Sequence, residues 1–177
     1  MACGRNCNKF VCEAAKHWGN WSDQVLRLHP SMTVNLADFE HITGPVIASA
    51  IEVHKATGAG MLERAYMPCL EFELRQRGIR FKVQHAIRFL YKGVSLDMAC
   101  RADLIVDDVV VVEVKSVAAI LPIHEAQLLT YMRLANCPVG LIINFNVPRL
   151  VDGVRRKVNP RATPVTSDKK ASGAPGA

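Results

Sequence analysis

The stretch Arg101-Ala102-Asp103-Leu104-Ile105-Val106-Asp107-Asp108-Val109-Val110-Val111-Val112-Glu113-Val114-Lys115 decides the fold. Its two β-branched runs, separated by a pair of acids, read as adjacent strands joined by a tight turn. Acids inside such strands need a reason, because burying an unpaired carboxylate costs several kcal/mol. Side chains alternate along a strand, so Glu113 and Lys115 share one face while Val112 and Val114 take the other. A three-residue connection at Asp107-Asp108-Val109 sets Asp103 opposite Glu113, whereas a strict two-residue turn puts them on opposite faces. The three-residue or bulged connection is therefore the expected one.

Upstream, Ile79 to Tyr91 and Ser95 to Val106 read as strands around a turn at Lys92-Gly93, completing a meander with Val109 to Val114. Before them, Val46, Ile47, Ala50, Ile51 and Val53 recur at helical spacing, with Pro45 fitting a first turn, which predicts a helix over 44–56. Gly58-Ala59-Gly60 ends it. A second helix over 61–77 carries Leu62, Ala65, Tyr66, Cys69, Leu70, Phe72 and Leu74, with Gly78 as its C-cap. Downstream, Pro122 opens a helix from Ile123 to Ala135, and Val139 to Phe145 reads as a buried strand. The order is α-α-β-β-β-α-β, without an internal repeat.

Two converging carboxylates offer hard oxygen ligands, which suit Mg²⁺ or Mn²⁺ better than zinc. A divalent ion lowers the pKa of a bound water and steadies a departing oxygen, and a neighbouring ammonium orients the water or neutralises a pentavalent phosphate. Asp103, Glu113 and Lys115 thus point to phosphodiester hydrolysis, the plain alternative being a structural salt bridge at a sheet edge. A second constellation, Gly60-Met61-Leu62-Glu63-Arg64-Ala65-Tyr66, opens the second helix and puts Glu63 and Tyr66 on one face. A third is Gln127 with Tyr131, one turn apart, and His124 one turn earlier. Such stripes usually mean packing, but these polar tips could hold a phosphate or a base.

The 177 residues, half of them apolar, suffice for one core of ordinary size. Residues 41–158 are the expected domain, 1–40 an N-terminal extension whose true start could be Met32, and 159–177 a disordered basic tail rich in Pro, Ala, Gly, Ser and Lys. No apolar run approaches the roughly 18 residues that span a bilayer, and the start lacks a signal peptide's apolar stretch, so a cytoplasmic location is expected. Of the +6 net charge, five units fall in 149–177, where seven Lys/Arg face Asp152 and Asp168. Such a run suits phosphate backbones, though it is more often simply solvated. The six cysteines suggest reduced thiols, since Cys3, Cys7 and Cys12 miss the usual zinc spacings and Cys69, Cys100 and Cys137 lie far apart.

Together, Gly60, Glu63 and Tyr66, then Arg101-Ala102-Asp103, Glu113-Val114-Lys115 and Gln127 to Tyr131, resemble the GxxExxY protein family of the PD-(D/E)XK nuclease superfamily. The likeness covers about residues 42–158 and includes Ile51-Glu52-Val53-His54, Leu121 to Gln127 and Leu141 to Asn146. It departs from the superfamily's name at Ala102, where Pro would stand. It implies a restriction-endonuclease-like α/β core, a central mixed sheet flanked by helices, with the acids at one edge. It further implies metal binding by Asp103 and Glu113, help to the water from Lys115, and a third ligand in Glu63. Gln127 and Tyr131 look like the Q-xxx-Y element of RecB-type exonucleases, which positions nucleic acid, and Tyr66 and His124 join them as expected substrate contacts. A Mg²⁺- or Mn²⁺-dependent nuclease acting on DNA ahead of RNA follows, alone, as a homodimer or within a larger nuclease complex. The competing expectation is a catalytically silent module that binds nucleic acid or a partner protein.

Overall fold

The computed structural model describes residues 35–159 and Ala162, which belong to the second of two units into which the chain divides, 1–33 and 34–177. The expectations for Met32 and the three early cysteines lie outside the described residues.

A five-stranded mixed sheet forms the centre: β1 (Phe81–Tyr91), β2 (Val94–Val106), β3 (Val110–Lys115), β4 (Val139–Asn144) and β5 (Val154–Val158), in that spatial order. All neighbours are antiparallel except β3 and β4, whose parallel pairing requires the crossover helix between them. Helices α1 (Glu40–Thr57) and α2 (Glu63–Gln76) cover one face, and α3 (Pro122–Leu134) covers the other.

Alternation along the strands builds both layers. Val110, Val112 and Val114 of β3, with Val139, Leu141 and Ile143 of β4, pack with Val46, Val53, Tyr66 and Leu70 of the first helix pair. Val111 and Ile142 point the other way, to Leu128 and Met132 of α3. Gly140 lets α3 settle on β4, since a Cβ there would stand 2.5 Å from the Met132 sulfur and 2.8 Å from a Leu128 methyl.

Three local readings change. The first helix begins at Glu40, so Pro45 lies in its second turn, not its first, and gives up one main-chain hydrogen bond. A 3-10 turn, Leu36–Phe39, leads into it, capped by the Asn35 side chain, which accepts from the Ala37 N–H at 3.1 Å. The basic run of 149–177 includes a strand absent from the expected order, β5, in which Val158 pairs with Val139 and Val154 with Ile143; apart from Asn159 and Ala162, the expected tail lies outside the described residues. Asn159 is also ordered, buried with its side-chain amide donating to the carbonyls of Met132 and Cys137. Among the described residues no helix is long and apolar enough to cross a membrane.

Candidate active site

The β2–β3 connection has three residues. Val106 pairs with Val110, Ile105 with Val111 and Leu104 with Val112, and the intervening Asp107 and Asp108 take φ of 50° and 59°. The ladder ends there, one residue before Asp103 and Glu113, whose carboxylates lie close enough to interact. The Asp103 carboxylate then bridges two strands: one oxygen accepts from the Val114 N–H at 3.0 Å and the other from the Gln84 side-chain amide at 2.9 Å.

Glu113 is only 2% exposed. One carboxylate oxygen accepts from Lys115 Nζ at 3.2 Å, while Oε1 is buried without a hydrogen-bond partner. Lys115 Nζ also stands 3.8 Å from Glu63, the first residue of α2. The crossover loop is fastened alongside: the Ser116 hydroxyl donates to the Met61 carbonyl at 2.6 Å, and Asn144 of β4 exchanges hydrogen bonds with the main chain of Val117 at 2.8 and 3.0 Å.

Electrostatics at the site are unbalanced. Burial, reinforced by the neighbouring Asp103 charge, pushes the Glu113 carboxyl up to about 7 despite Lys115. Burial raises Glu63 too, with Asp103 adding to it and Lys115, His124 and the Ser116 main chain opposing. Burial works against the Lys115 ammonium, but Glu113, Glu63 and Asp103 outweigh it and hold its pKa above the ordinary lysine value. Lys115 is thus a firmly charged cation, and Glu113 a carboxylate short of positive charge.

The remaining expected residues fall unevenly. His124 lies within electrostatic reach of Glu63, and its Nδ1 accepts from the Leu121 N–H at 3.1 Å, capping α3. Gln127 donates to the Tyr131 hydroxyl at 3.0 Å, so these two form one half-buried unit along α3. Tyr66 is a correction. It is fully buried and stacked on Phe145 with ring centres 4.3 Å apart, and its hydroxyl donates to Gly58 O and accepts from Met61 N–H. It fastens the loop that presents Glu63 and has no face to offer a substrate. Gln84, on Asp103, is the residue that sequence reasoning missed.

Mg²⁺ keeps several of its waters and takes one or two protein carboxylates. The partnerless Glu113 oxygen beside Asp103 fits that demand. Among the described residues, however, no group of three or more His, Cys, Asp or Glu side chains gathers closely enough to hold an ion. Glu63 is therefore not assembled as a third ligand here, its carboxylate being turned to the Lys115 ammonium.

A family model described as the PD-(D/E)XK nuclease superfamily matches residues 40–157, which span the described sheet, save one residue of β5, and helices α1, α2 and α3. The chain belongs to the PD-(D/E)XK nuclease superfamily. Members of that superfamily are generally metal-dependent nucleases and typically use divalent ions. The mixed sheet with flanking helices is consistent with its restriction-endonuclease-like fold. No curated protein and no solved structure matched the chain.

Proposed function

We propose that this PD-(D/E)XK chain is a Mg²⁺- or Mn²⁺-dependent nuclease of the GxxExxY type that hydrolyses phosphodiester bonds of nucleic acid, DNA ahead of RNA, with water as nucleophile. The observation that carries the reading is the buried, partnerless Oε1 of Glu113 next to Asp103. Leaving such an oxygen unsatisfied costs about 1–3 kcal/mol or more, which makes sense where a cation is to be bound. Asp103 and Glu113 would hold that ion. Bound there, it would supply Lewis-acid polarisation of the phosphate and a more acidic water.

The chain's own groups complete the chemistry. Lys115, held cationic by three carboxylates, is placed to orient the attacking water and to offset the charge that builds on the phosphoryl oxygens. Glu63 keeps Lys115 turned toward the site from the α2 side. Gln127 and Tyr131, coupled by their hydrogen bond, offer a polar ridge on α3 for a phosphate or base edge.

The test is a cleavage assay on single- and double-stranded DNA and RNA with Mg²⁺ or Mn²⁺, run beside Lys115→Ala and Glu113→Gln. Cleavage by the wild type, lost in both variants and in chelator, is the expected result. Cleavage that persists in both variants would refute the site, and a wild type that cuts nothing with Mg²⁺ or Mn²⁺ present, yet binds nucleic acid as well in chelator as with metal, would favour the silent binding module.

A further inference from the structure

We infer that Gln84 is a positioning residue that aims the Asp103 carboxylate, an inference resting on the proposed role of Asp103 as a metal ligand. Among the described residues five non-glycine positions have positive φ, and four of them, Lys92, Asp107, Asp108 and Asn136, lie in connections. Gln84, at φ 46°, is the one inside a strand. A glutamine in the left-handed region is disfavoured, and such strain gathers where the surrounding structure has a use for it.

The place is specific. Val83 pairs with Leu104 and His85 with Ala102, so the lapse in pairing falls on Gln84 and Asp103 themselves. Side-chain alternation breaks there as well: Leu104 and Val106 of β2 belong to the α1–α2 layer, whereas Ala102, also even-numbered, belongs to the α3 layer. At this discontinuity the Gln84 amide donates to Asp103 Oδ1 at 2.9 Å while the Val114 main chain donates to Oδ2 at 3.0 Å. Two donors from two strands fix the carboxylate plane. A carboxylate held at one oxygen only could still swing, and loss of such an orienting partner typically weakens metal binding by about 10–100-fold.

Glycine accepts the left-handed backbone without strain and asparagine tolerates it, yet neither side chain spans the distance to Asp103 that glutamine does. In Gln84→Gly and Gln84→Asn, thermal stability in chelator should match or exceed that of the wild type. Mn²⁺ affinity, followed by the electron paramagnetic resonance of the free ion, should fall about tenfold. Wild-type affinity in both variants would overturn the inference while leaving the site intact. Lower stability in both would also overturn it, by making Gln84 a fold-holding residue. A wild type that binds no Mn²⁺ would instead bring down the metal-site reading on which the inference stands.

Discussion

The C-terminal end of β3 and the short strand β5 both concentrate charge, and they treat it in opposite ways. On β5 the cations sit at the surface with local partners: Arg156 pairs with Glu40, and Lys157 reaches Glu125 at 2.7 Å. Arg149, just before β5, makes a two-pronged contact with Asp152 at 3.0 Å. At the end of β3 a carboxylate is buried with an ammonium at 3.2 Å and one oxygen left over. A charge does more where water is scarce, because the surrounding medium sets the strength of its interactions. The cations described in the C-terminal stretch are thus partly neutralised, and the unbalanced charge lies elsewhere, among Glu63, Asp103, Glu113 and Lys115.

The strongest way to break this contrast is Glu113→Gln. Cleavage measured on a gel should drop by at least about a hundredfold, while melting in chelator at pH 8 should be equal to or above that of the wild type, since a neutral amide is cheaper to bury. Undiminished cutting would end the comparison. Lys115→Ala should act on stability in the opposite sense, leaving the Glu113 carboxylate without its cation. In chelator at pH 8 denaturant unfolding should register a loss of up to about 3 kcal/mol, shrinking at pH 6 as the carboxyl takes up a proton.

The pH profile of the metal-free wild type sharpens the same point. A carboxyl whose pKa is higher in the folded chain binds more protons when folded, so its contribution favours the fold at low pH. For Glu113 that contribution is complete below about 4.5 and is lost as pH rises through about 7. Melting temperature in chelator should therefore fall from pH 5.5 to 8 in the wild type and fall less in Glu113→Gln. Equal slopes would remove Glu113 as the cause. The smallest effect belongs to β5, where Arg156→Gln should cost less than about 1 kcal/mol and leave nucleic-acid affinity unchanged at moderate salt.

What could be read in advance follows from the same physics. Asp103, Glu113 and Lys115 stood out because acids interrupt an apolar strand pattern, and counting residues around Asp107 and Asp108 was enough to bring the carboxylates together. Gln84 could not be read, because its value depends on a left-handed backbone and a cross-strand partner that no residue type announces. The spacing of Glu63 and Tyr66 gave one helix face, but not that a residue at the helix start can look outward while one a turn later enters the core. Strand β5 was missed because Val154-Arg155-Arg156-Lys157-Val158 carries three cations in five residues and reads as solvated. Only its pairing with β4 and the acids of α1 and α3 make it a strand.

The loop of Asp107, Asp108 and Val109 has a consequence for how this chain can change. Its residues can be exchanged with little effect on the site, provided positive φ is tolerated, because the loop contributes no group to it. The place where it closes cannot. A turn drawn tight over Asp107 and Asp108 alone would pair Val106 with Val109, slide β2 by one place against β3, set Asp103 against Val112 on the far side of the sheet from Glu113 and bring Ala102 to face the acid, so the site would vanish without a single site residue having been altered. The loop behaves as a spacer gauge: tolerant of spelling, intolerant of counting.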